Sequence, residues 1–435
     1  MHDLELVADN YKPEIVATSF RTHEHAKVWL AEGHEVTVVT CVPNWPKGRV
    51  FDGYRNRLYQ EEWIDGVRVI RLWSYITANQ GFFKRTLDYV SYMLSATAFC
   101  WRYPKFDVVL ATSPQFFTAV AGWLVSRLRR RPWVFELRDL WPESIKAVGA
   151  SKSRLIDALE RLELFLYRKA DRVVALTNAF KENLKQRGIS REKIDVVTNG
   201  VDLEHFQPTK VSHLGRQRLG ISQDAFVVGY IGTTGMAHGL DTLLDAAEIL
   251  RSRRDVCFLI MGDGAQRKAL EKRARDRKLS NVIFADPVPH KEIPIYYAAL
   301  DVSLVHLKPD PLFKLVIPSK IFECMAMAKP ILMAVEGEAA EIVAEAQCGL
   351  CIRAGDSHAM ADAVDQLAND SVALARMGHR GRQAVIARYS RRIKAKAVLR
   401  SLESVVPSTG ASRNAPPAAS ALFPIRPLKS RRRAA

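Results

Sequence analysis

Short apolar runs alternate with amphipathic segments along most of the chain, and the alternation predicts two successive α/β halves. In the first half, the predicted strands are residues 36–40, 67–70, 108–111, 133–136 and 173–176, and the predicted helices are residues 23–32, 155–169 and 178–187. In the second half, the predicted strands are residues 226–231, 257–261, 282–284 and 302–305, and the predicted helices are residues 240–251, 266–275, 319–328 and 358–368. Such alternation is typical of doubly wound domains built on a parallel sheet.

A turn signal at residues 198–202 separates the halves, and the composition changes again near the end of the chain. We therefore expect a first domain over residues 1–198, a second over 199–390, a helix over 391–406 that packs back on the first domain, and a disordered basic tail over 407–435. Two such domains on a short linker imply a cleft. Parallel sheets bind ligands beyond the carboxyl ends of their strands, so the cleft is the predicted active site.

The segment from Ile317 to Glu323 offers the strongest candidate chemistry for that cleft. Pro318 and Ser319 predict the start of a helix, with the serine side chain capping free backbone N–H groups. Lys320 adds a cation beside these donors, and Glu323 could accept hydrogen bonds from both hydroxyls of a ribose. The segment therefore suits a nucleotide diphosphate. It could equally be an ordinary capped helix with a surface pair between Lys320 and Glu323.

Two glycine turns follow predicted strands of the second half and could let the backbone approach a donor molecule closely. The candidate donor-binding residues in these turns are Gly232, Thr233, Thr234, Gly235 and Gly262. Neither turn is a GxGxxG or Walker sequence, and glycine turns after strands are mostly structural.

Composition narrows the classes of function. Of the 435 residues, 48% are hydrophobic, and no apolar run reaches the ~18–20 residues that span a bilayer. The net charge is +17, of which the tail contributes six, so the rest of the chain carries an excess of eleven positive charges. Such an excess attracts nucleic acid, anionic lipid or a diphosphate substrate, and charge alone does not choose among them.

Cysteine usage indicates a reducing compartment. Six cysteines follow no disulfide framework, and Cys348 and Cys351 lack the partners of a metal or redox site, so we interpret them as half-buried strand cysteines. The first five residues lack the regions of a secretory signal. We therefore expect the cytoplasm.

Residues 82–105 form an aromatic segment that is helical in pattern and too short to span a bilayer. Lys84, Arg85 and Arg102 give it the basic flanks of a helix that lies in a lipid interface. It could instead be a core helix packed on the first sheet. We expect a mixed arrangement, with one face in the core and one on an anionic membrane surface.

From about residue 10 to about residue 405, the order of these landmarks resembles glycosyltransferase family 4. In the second half, the resemblance rests on the Gly232 turn and on residues 199–202, 261–264, 318–323 and 377–382. In the first half, a bacterial branch that builds O-antigen, capsule or exopolysaccharide, fucosamine transferases included, is similar at residues 13–18, 24–26, 33–38, 43–46 and 138–144. The resemblance implies two Rossmann-like domains that face each other across a cleft, the GT-B fold.

The resemblance also implies an activity. It predicts a hexosyltransferase-type enzyme that moves a sugar from a nucleotide diphosphate, first of all UDP, to a saccharide carried on a polyprenyl diphosphate lipid, with retention. The nucleotide-sugar would be a co-substrate, without a cofactor or metal, since the Asp-x-Asp of metal-dependent transferases is absent. The predicted place is the inner face of the cytoplasmic membrane, and no nucleic acid is expected as a partner.

The resemblance gives some functional residues of the family a counterpart in this chain and leaves others without one. Glu323 matches the glutamate that holds the ribose hydroxyls, whereas the family's other glutamate falls at Leu315. Asp139 could orient a hydroxyl of the donor sugar or the acceptor, and Arg138 could bind a phosphate or pair with Glu143; alternatively, Arg138 and Asp139 pair to hold a loop. The predicted catalytic residues are Asp139, Arg138 and Lys320.

In the phosphate turn, many relatives have an arginine and a lysine where this chain has Thr233 or Thr234 and His238. Neutralising the phosphates would then depend on Lys320 and on backbone N–H groups, with Lys314 as a further candidate. A solvated loop lysine is an equally good interpretation of Lys314.

The predicted acceptor-side residues lie in the first loop. Val16 stands where the resemblance expects a glycine, and a β-branched residue tolerates positive φ poorly, so that loop is predicted to have a different shape. Ala17 follows it. Glu14 faces the cleft if this assignment holds, and is otherwise an exposed loop acid.

Two other classes of function stay open. A sugar-nucleotide epimerase or hydrolase would use the same cleft without an acceptor. A non-catalytic protein that binds phosphates or membranes would explain the charge but would leave Glu323 and the glycine turns unexplained. A dinucleotide oxidoreductase is disfavoured, because no GxGxxG with a downstream acid is present.

Overall fold

The computed structural model describes residues 2–45, 47–77, 82–102, 106–113, 116–140, 154–209 and 212–407. Three predictions fall outside the described residues. They are the basic tail beyond Pro407, the pairing of Arg138 with Glu143, and the end of the aromatic segment at residues 103–105.

The first domain is a sheet with helices on both faces. Its described strands are β1 (Asp3–Val7), β2 (Glu35–Cys41), β3 (Tyr59–Ile64), β4 (Val67–Leu72), β5 (Val108–Thr112), β6 (Trp133–Leu137), β7 (Arg172–Ala175) and β8 (Ile194–Val196). Its described helices are α1 (Ala17–Ala31), α2 (Phe82–Arg102), α3 (Phe116–Arg129), α4 (Arg154–Lys169) and α5 (Asn178–Gln186). The strand order is β3-β4-β2-β1-β5-β6-β7-β8, and the described neighbours pair parallel except β3 with β4.

The second domain repeats this architecture with a smaller, all-parallel described sheet of order β11-β10-β9-β12-β13-β14. These strands are β9 (Phe226–Ile231), β10 (Val256–Met261), β11 (Val282–Ala285), β12 (Val302–His306), β13 (Ile331–Ala334) and β14 (Gly349–Cys351). The helices are α6 (Ser212–Leu219), α7 (Asp241–Ile249), α8 (Arg267–Asp276), α9 (Ile293–Ala299), α10 (Lys320–Ala326), α11 (Glu338–Glu345), α12 (Ser357–Ala368), α13 (Ser371–Arg388) and α14 (Arg391–Glu403). A 3₁₀ turn covers Pro311–Leu315.

Each sheet carries an apolar cluster on both of its faces. As a consequence, all five residues of strand β6 are buried, including Glu136 with its carboxylate. Continuous burial is expected where helices cover both faces of a parallel sheet. The predicted fold class, two α/β domains with parallel sheets, is therefore confirmed.

The chain crosses between the domains twice, side by side. The Val201 N–H donates to the Tyr389 carbonyl at 2.9 Å, and the Arg391 N–H donates to the Val201 carbonyl at 3.0 Å. Helix α14 then lies on the first domain, where the indole N–H of Trp29 donates to the Ala395 carbonyl at 2.8 Å. Because both crossings lie in one short ladder, the two linker segments form a narrow joint.

Helix α2 has one face in the core and one in solvent. Tyr92, Ala96 and Cys100 are fully buried in the first domain, whereas Leu94 and Trp101 are 58% and 60% exposed. Among the helices that the structure describes, none is long and apolar enough to cross a membrane.

Candidate active site

A cavity of about 460 Å³ lies between the two domains, where the carboxyl ends of the two parallel sheets meet. Residues that follow β6 and β7 line it from the first domain, and residues that follow β9 and β12 line it from the second. The polar residues of its lining are Thr18, Arg138, Asp139, Thr177, Asn199, His238 and Ser319. This is the place where the strand order of both sheets predicts a ligand.

Two glycine turns pack directly against each other, and His238, which follows the first of them, lines this cavity. The backbone φ is +144° at Gly232 and +135° at Gly262, values that side chains rarely allow. A Cβ atom on Gly262 would lie 2.0 Å from the Gly232 carbonyl oxygen. The Gly232 N–H donates to the Met261 carbonyl at 2.9 Å, so the turns after β9 and β10 form one tight backbone layer. Side chains at these glycines would push the layer apart.

The side chain of Lys320 ends against this layer. Its Nζ lies 3.6 Å from the centre of the Tyr230 ring, and a Cβ atom on Gly232 would lie 2.7 Å from Nζ. The Nζ atom is buried and has no hydrogen-bond partner among the described residues. Burial lowers the pKa of Lys320 to about 8, so the ammonium is held at a cost that an anion would offset.

The other residues of the Gly232 turn are neutral. Thr233 is exposed, whereas Thr234 is fully buried and its hydroxyl has no partner among the described residues. Burial and the charge of Lys320 lower the pKa of His238 to about 4. Its Nδ1 atom accepts the Gly235 N–H at 3.2 Å. A neutral histidine therefore supports the turn, and Lys320 is a cation whose charge acts on it.

Ser319 does not cap the helix, and that prediction is wrong. Helix α10 begins at Lys320, and Ser319 itself has helical backbone angles, with φ −58° and ψ −26°. A capping serine needs an extended backbone for its oxygen to reach the next N–H groups. The Ser319 hydroxyl instead accepts a hydrogen bond from Asn199 Nδ2 at 2.9 Å. The residue thus joins the second domain to the interdomain linker.

Glu323 lies one turn further along α10. Its Oε2 atom accepts the hydroxyl of Tyr297 at 3.0 Å, which leaves Oε1 available to a ligand. Burial raises the pKa of Glu323, while Tyr297, Arg391 and Lys320 act in the opposite direction. The predicted Lys320–Glu323 surface pair is absent from the ion pairs of the described residues, because Lys320 turns towards Tyr230.

The 3₁₀ turn before α10 brings neither a phosphate-binding cation nor a carboxylate into the cavity. Lys314 is exposed and pairs with Glu336 at 2.5 Å, which favours the interpretation of an ordinary loop lysine. Leu315 packs against the first-domain core, and its carbonyl accepts the hydroxyl of Thr177 at 2.9 Å. The contact pins this turn to the other domain.

Arg138 and Asp139 follow β6 and line the cavity. The Arg138 N–H donates to Ser113 Oγ at 2.7 Å, while its Nε and Nη1 atoms are buried without a partner among the described residues. Burial lowers the pKa of Arg138 and raises the pKa of Asp139. The described residues include no ion pair between these two neighbours, so the alternative of a pair that holds a loop lacks its contact.

In the first loop, Glu14 lies elsewhere than predicted. Glu14 is only 2% exposed, and its Oε1 atom accepts the N–H groups of Asn44 and Trp45, both at 2.8 Å. Glu14 therefore neither faces the cleft nor lies in solvent, because backbone donors hold it inside. Val16 has an extended backbone, with φ −134°, so the loop avoids the positive φ that a glycine would permit. Ala17 begins α1 and lines the cavity.

A buried ion pair that the sequence reasoning missed lies beneath the cavity. Arg21 Nε donates to Glu136 Oε1 at 2.8 Å, and Arg21 Nη1 donates to Asn199 Oδ1 at 2.9 Å. The signal in the sequence was Glu136, a carboxylate inside an otherwise apolar strand. Because Asn199 also bonds Ser319, these residues form a continuous polar chain from the first sheet to the start of α10.

The described residues contain no group of three or more His, Cys, Asp or Glu side chains placed to hold a metal ion. Cys348 is buried, Cys351 is exposed at the end of β14, and both are free thiols.

Two family models match the chain. The Glycosyl transferase 4-like domain matches residues 18–200, and the Glycosyl transferases group 1 domain matches residues 225–370. The lipopolysaccharide core biosynthesis glycosyltransferase LpsE of Rhizobium meliloti is 30% identical over 263 residues, which are 59% of this chain and 71% of LpsE. The putative colanic acid biosynthesis glycosyl transferase WcaI of Escherichia coli is 26% identical over 330 residues, 73% of this chain and 79% of WcaI.

The chain belongs to glycosyltransferase family 4. Solved structures agree on the fold. Sucrose-phosphate synthase of Thermosynechococcus elongatus superposes with a TM-score of 0.74 at 18% identity, covering 93% of this chain and 99% of its own. HepE of Anabaena, solved with UDP and glucose, gives 0.69 at 20% identity, covering 93% of this chain and all of its own. The predicted GT-B fold and the predicted glycosyltransferase activity are thus confirmed, and the branch within the family stays a prediction.

For this glycosyltransferase, we expect the Lys320→Met variant to bind UDP about 10- to 150-fold more weakly at pH 7, because charged hydrogen bonds contribute ~1.5–3 kcal/mol. The same change should raise the free energy of unfolding by about 1–3 kcal/mol. The folded-state pKa is depressed, so the penalty is full below about pH 8, where lysine is charged in both states, and fades towards pH 10.5. Calorimetric titration and urea unfolding measure the two effects.

Lys314→Met is the matched control, because Lys314 is exposed and already paired. It should leave UDP binding unchanged. Parent protein should lose UDP affinity as the pH rises above about 8, and Lys320→Met should lack that dependence. Equal affinity for UDP in parent and Lys320→Met would contradict the interpretation of Lys320 as a diphosphate-binding cation.

Proposed function

We propose that this glycosyltransferase moves a sugar from a nucleotide diphosphate, with UDP as the nucleotide, to a lipid-linked saccharide. One observation carries the proposal: the buried ammonium of Lys320 has no hydrogen-bond or ion-pair partner among the described residues and lies against the Gly232 turn, whose His238 lines the interdomain cavity. An anionic partner stabilises a buried cation, and a diphosphate is an anion that such a turn accommodates.

The same cation would drive the reaction. When the glycosidic bond of the donor breaks, negative charge develops on the leaving diphosphate. An ammonium already in place stabilises this charge without having to reorganise. The Tyr230 ring holds Nζ at 3.6 Å, so the group is positioned before the donor arrives. We propose that Lys320 takes the part that a metal plays in other transferases.

Glu323 is the proposed ribose acceptor. Tyr297 occupies one of its oxygens and fixes the orientation of the carboxylate, while the other oxygen stays available. The carboxylate lies one helical turn from Lys320, as a ribose lies next to its diphosphate.

Arg138 and Asp139 are the proposed groups that the first domain contributes to the cavity. Asp139 would orient a sugar hydroxyl, and the Nε and Nη1 atoms of Arg138, which have no partner among the described residues, would bind a phosphate. We propose retention: the acceptor hydroxyl attacks from the face of the leaving group, and a phosphate oxygen takes its proton. Ala17 and Thr18 border the acceptor's path, and Glu14 has no part in it.

The exposed face of α2 suits a peripheral position at the inner face of the cytoplasmic membrane. Leu87, Leu94 and Trp101 are spaced seven apart and form one exposed apolar stripe. Lys84 and Arg102 are exposed at its two ends. An apolar stripe with basic ends binds anionic lipid interfaces, which would bring the cavity near a lipid-linked acceptor.

The relatives support a role in bacterial surface polysaccharide biosynthesis. One is named for lipopolysaccharide core biosynthesis and another for colanic acid biosynthesis, and HepE was solved with UDP. A polysaccharide built on a lipid carrier needs this reaction at every added sugar.

The decisive assay mixes purified protein with UDP-, GDP- and dTDP-sugars in EDTA, with and without bacterial lipid extract. We expect release of UDP that requires the lipid extract, and a product with the anomeric configuration of the donor. UDP release without lipid would favour a hydrolase. Activity that returns only with added Mg²⁺ would contradict the proposed role of Lys320.

The double charge reversal Lys84→Glu/Arg85→Glu should weaken binding to anionic phosphatidylglycerol vesicles by roughly thirtyfold or more, since each basic residue near such a surface contributes ~1 kcal/mol. UDP affinity should stay unchanged. Lys268→Glu/Lys272→Glu on α8 is the control, because it changes the net charge equally on exposed positions of the second domain. If both variants lose the same amount of vesicle binding, net charge alone would explain the loss, and docking through α2 would be contradicted.

A further inference from the structure

A second cation without a partner belongs to the first domain. Arg138 follows β6 and is among the residues that line the interdomain cavity. Its Nε and Nη1 atoms are buried without a hydrogen-bond partner, and none of the ion pairs of the described residues includes its guanidinium. Its backbone N–H donates to Ser113 Oγ at 2.7 Å, so the main chain of this residue is held in place. The fold therefore positions a guanidinium whose donors remain unused.

The acids next to Arg138 in the sequence do not neutralise it. Glu136 accepts a hydrogen bond from Arg21 Nε at 2.8 Å, so its charge is already balanced by another arginine. Asp139 makes no ion pair with Arg138 among the described residues, and burial raises the pKa of Asp139. Neither carboxylate is thus the partner that the guanidinium requires.

The buried His25, on α1, shows the charge balance around these arginines. Burial and the charge of Arg21 lower the pKa of His25 to about 3. Arg138 and Arg391 act in the same direction, and Glu136 opposes them. Three arginines and one carboxylate therefore act on this position. An anion bound nearby would offset the excess of positive charge.

The N-terminus of α1 adds hydrogen-bond donors at the same cavity. Ala17 and Thr18, the first two residues of α1, line the cavity. Val16, at the N-cap position, makes no side-chain capping bond, and the first turn holds no acidic residue. Among the described residues, the first N–H of this turn with a backbone acceptor is that of Phe20, which donates to the Val16 carbonyl at 3.1 Å. The N–H groups before it are available to an anion, which the positive end of a helix favours.

Arg138 and Lys320 do not act on each other. A like charge within roughly 4–6 Å shifts the pKa of its neighbour appreciably. Burial lowers the pKa of both groups, and the largest influence after burial is Glu136 for Arg138 and Cys324 for Lys320. Neither cation is among the charges that shift the pKa of the other. Because the two phosphates of a diphosphate share one bridging oxygen, a diphosphate bound at Lys320 leaves Arg138 without a partner.

We propose that Arg138 and the N-terminus of α1 bind a second oxyanion, a carboxylate or a phosphate, that belongs to a substrate and is not the diphosphate of the donor. The planar guanidinium fits two oxygens of either group. The second oxyanion is the carboxylate of an acidic donor sugar or a phosphate of the acceptor. The inference rests on the proposed function, because it assumes that Lys320 binds the diphosphate of a UDP donor.

Two sets of ligands distinguish these sources by calorimetry. For the acceptor, geranyl diphosphate is titrated into protein saturated with UDP, so that the site at Lys320 is already filled. For the donor sugar, UDP-glucuronic acid and UDP-galacturonic acid are compared with UDP-glucose and UDP-galactose, from which they differ only at C6. We expect geranyl diphosphate to bind the UDP-saturated protein, or one acid to bind at least about tenfold more tightly than its parent sugar nucleotide.

Arg138→Gln is the informative variant, because it removes the charge and keeps a polar side chain. It should weaken the binding of the second oxyanion about 10- to 150-fold, the range for hydrogen bonds to charged groups. Its affinity for UDP should stay unchanged, which also shows that the variant is folded. Arg138→Lys, which keeps the charge, should lose less. Arg161→Gln, at an exposed arginine of α4 outside the cavity, is the matched control and should bind each ligand as the parent does.

The outcomes separate the inference from the proposed function. If UDP binds, but neither geranyl diphosphate nor an acidic donor shows binding that depends on Arg138, the inference is overturned and the proposed function stands. A loss of UDP affinity in Arg138→Gln as large as that in Lys320→Met would also overturn it, since both cations would then hold the donor diphosphate. If none of UDP, GDP and dTDP binds, the proposed function fails and the inference falls with it.

Discussion

A buried ammonium without a hydrogen-bond or ion-pair partner among the described residues is the constraint on which the candidate site depends. Lys320 reaches the Tyr230 ring only because Gly232 has no side chain, and Gly232 fits only because Gly262 has none. Burial lowers the pKa of Lys320 to about 8, so the free protein holds a charge that folding alone would not favour. Stability given up at such a place is typical of a site shaped for its ligand.

A second constraint fixes the position of this cation relative to the first domain. Burial alone would raise the pKa of Glu136, but the charge of Arg21 lowers it to about 2, so the ion pair stays charged inside the first sheet. Arg21 then reaches Asn199, and Asn199 reaches Ser319 immediately before Lys320. These contacts hold the start of α10 at a fixed distance from strand β6 of the first domain. Such a fixed distance suits a reaction that needs donor and acceptor aligned.

Continuous apolar runs gave correct strands, because strands buried on both faces leave a plain hydrophobic signal. The central strand β1 was missed, since Asp3 and Glu5 alternate with its apolar residues. Glu5 is nevertheless 2% exposed, and burial raises its pKa to about 7. The start of α10 was predicted within one residue, but the partner of Ser319 lies 120 positions away along the chain. The local sequence pattern predicts secondary structure, whereas contacts between segments far apart in the chain determine the hydrogen-bond partners of a polar side chain.

The central claim, that Lys320 binds the diphosphate of the donor, is tested most directly by a crystal structure of the protein with UDP. The account predicts a phosphate oxygen about 3 Å from Lys320 Nζ, with the ammonium drawn from the Tyr230 ring towards it and the ribose hydroxyls on Glu323. A diphosphate bound elsewhere in the cavity, with Lys320 still resting on Tyr230 and without a partner, would contradict it.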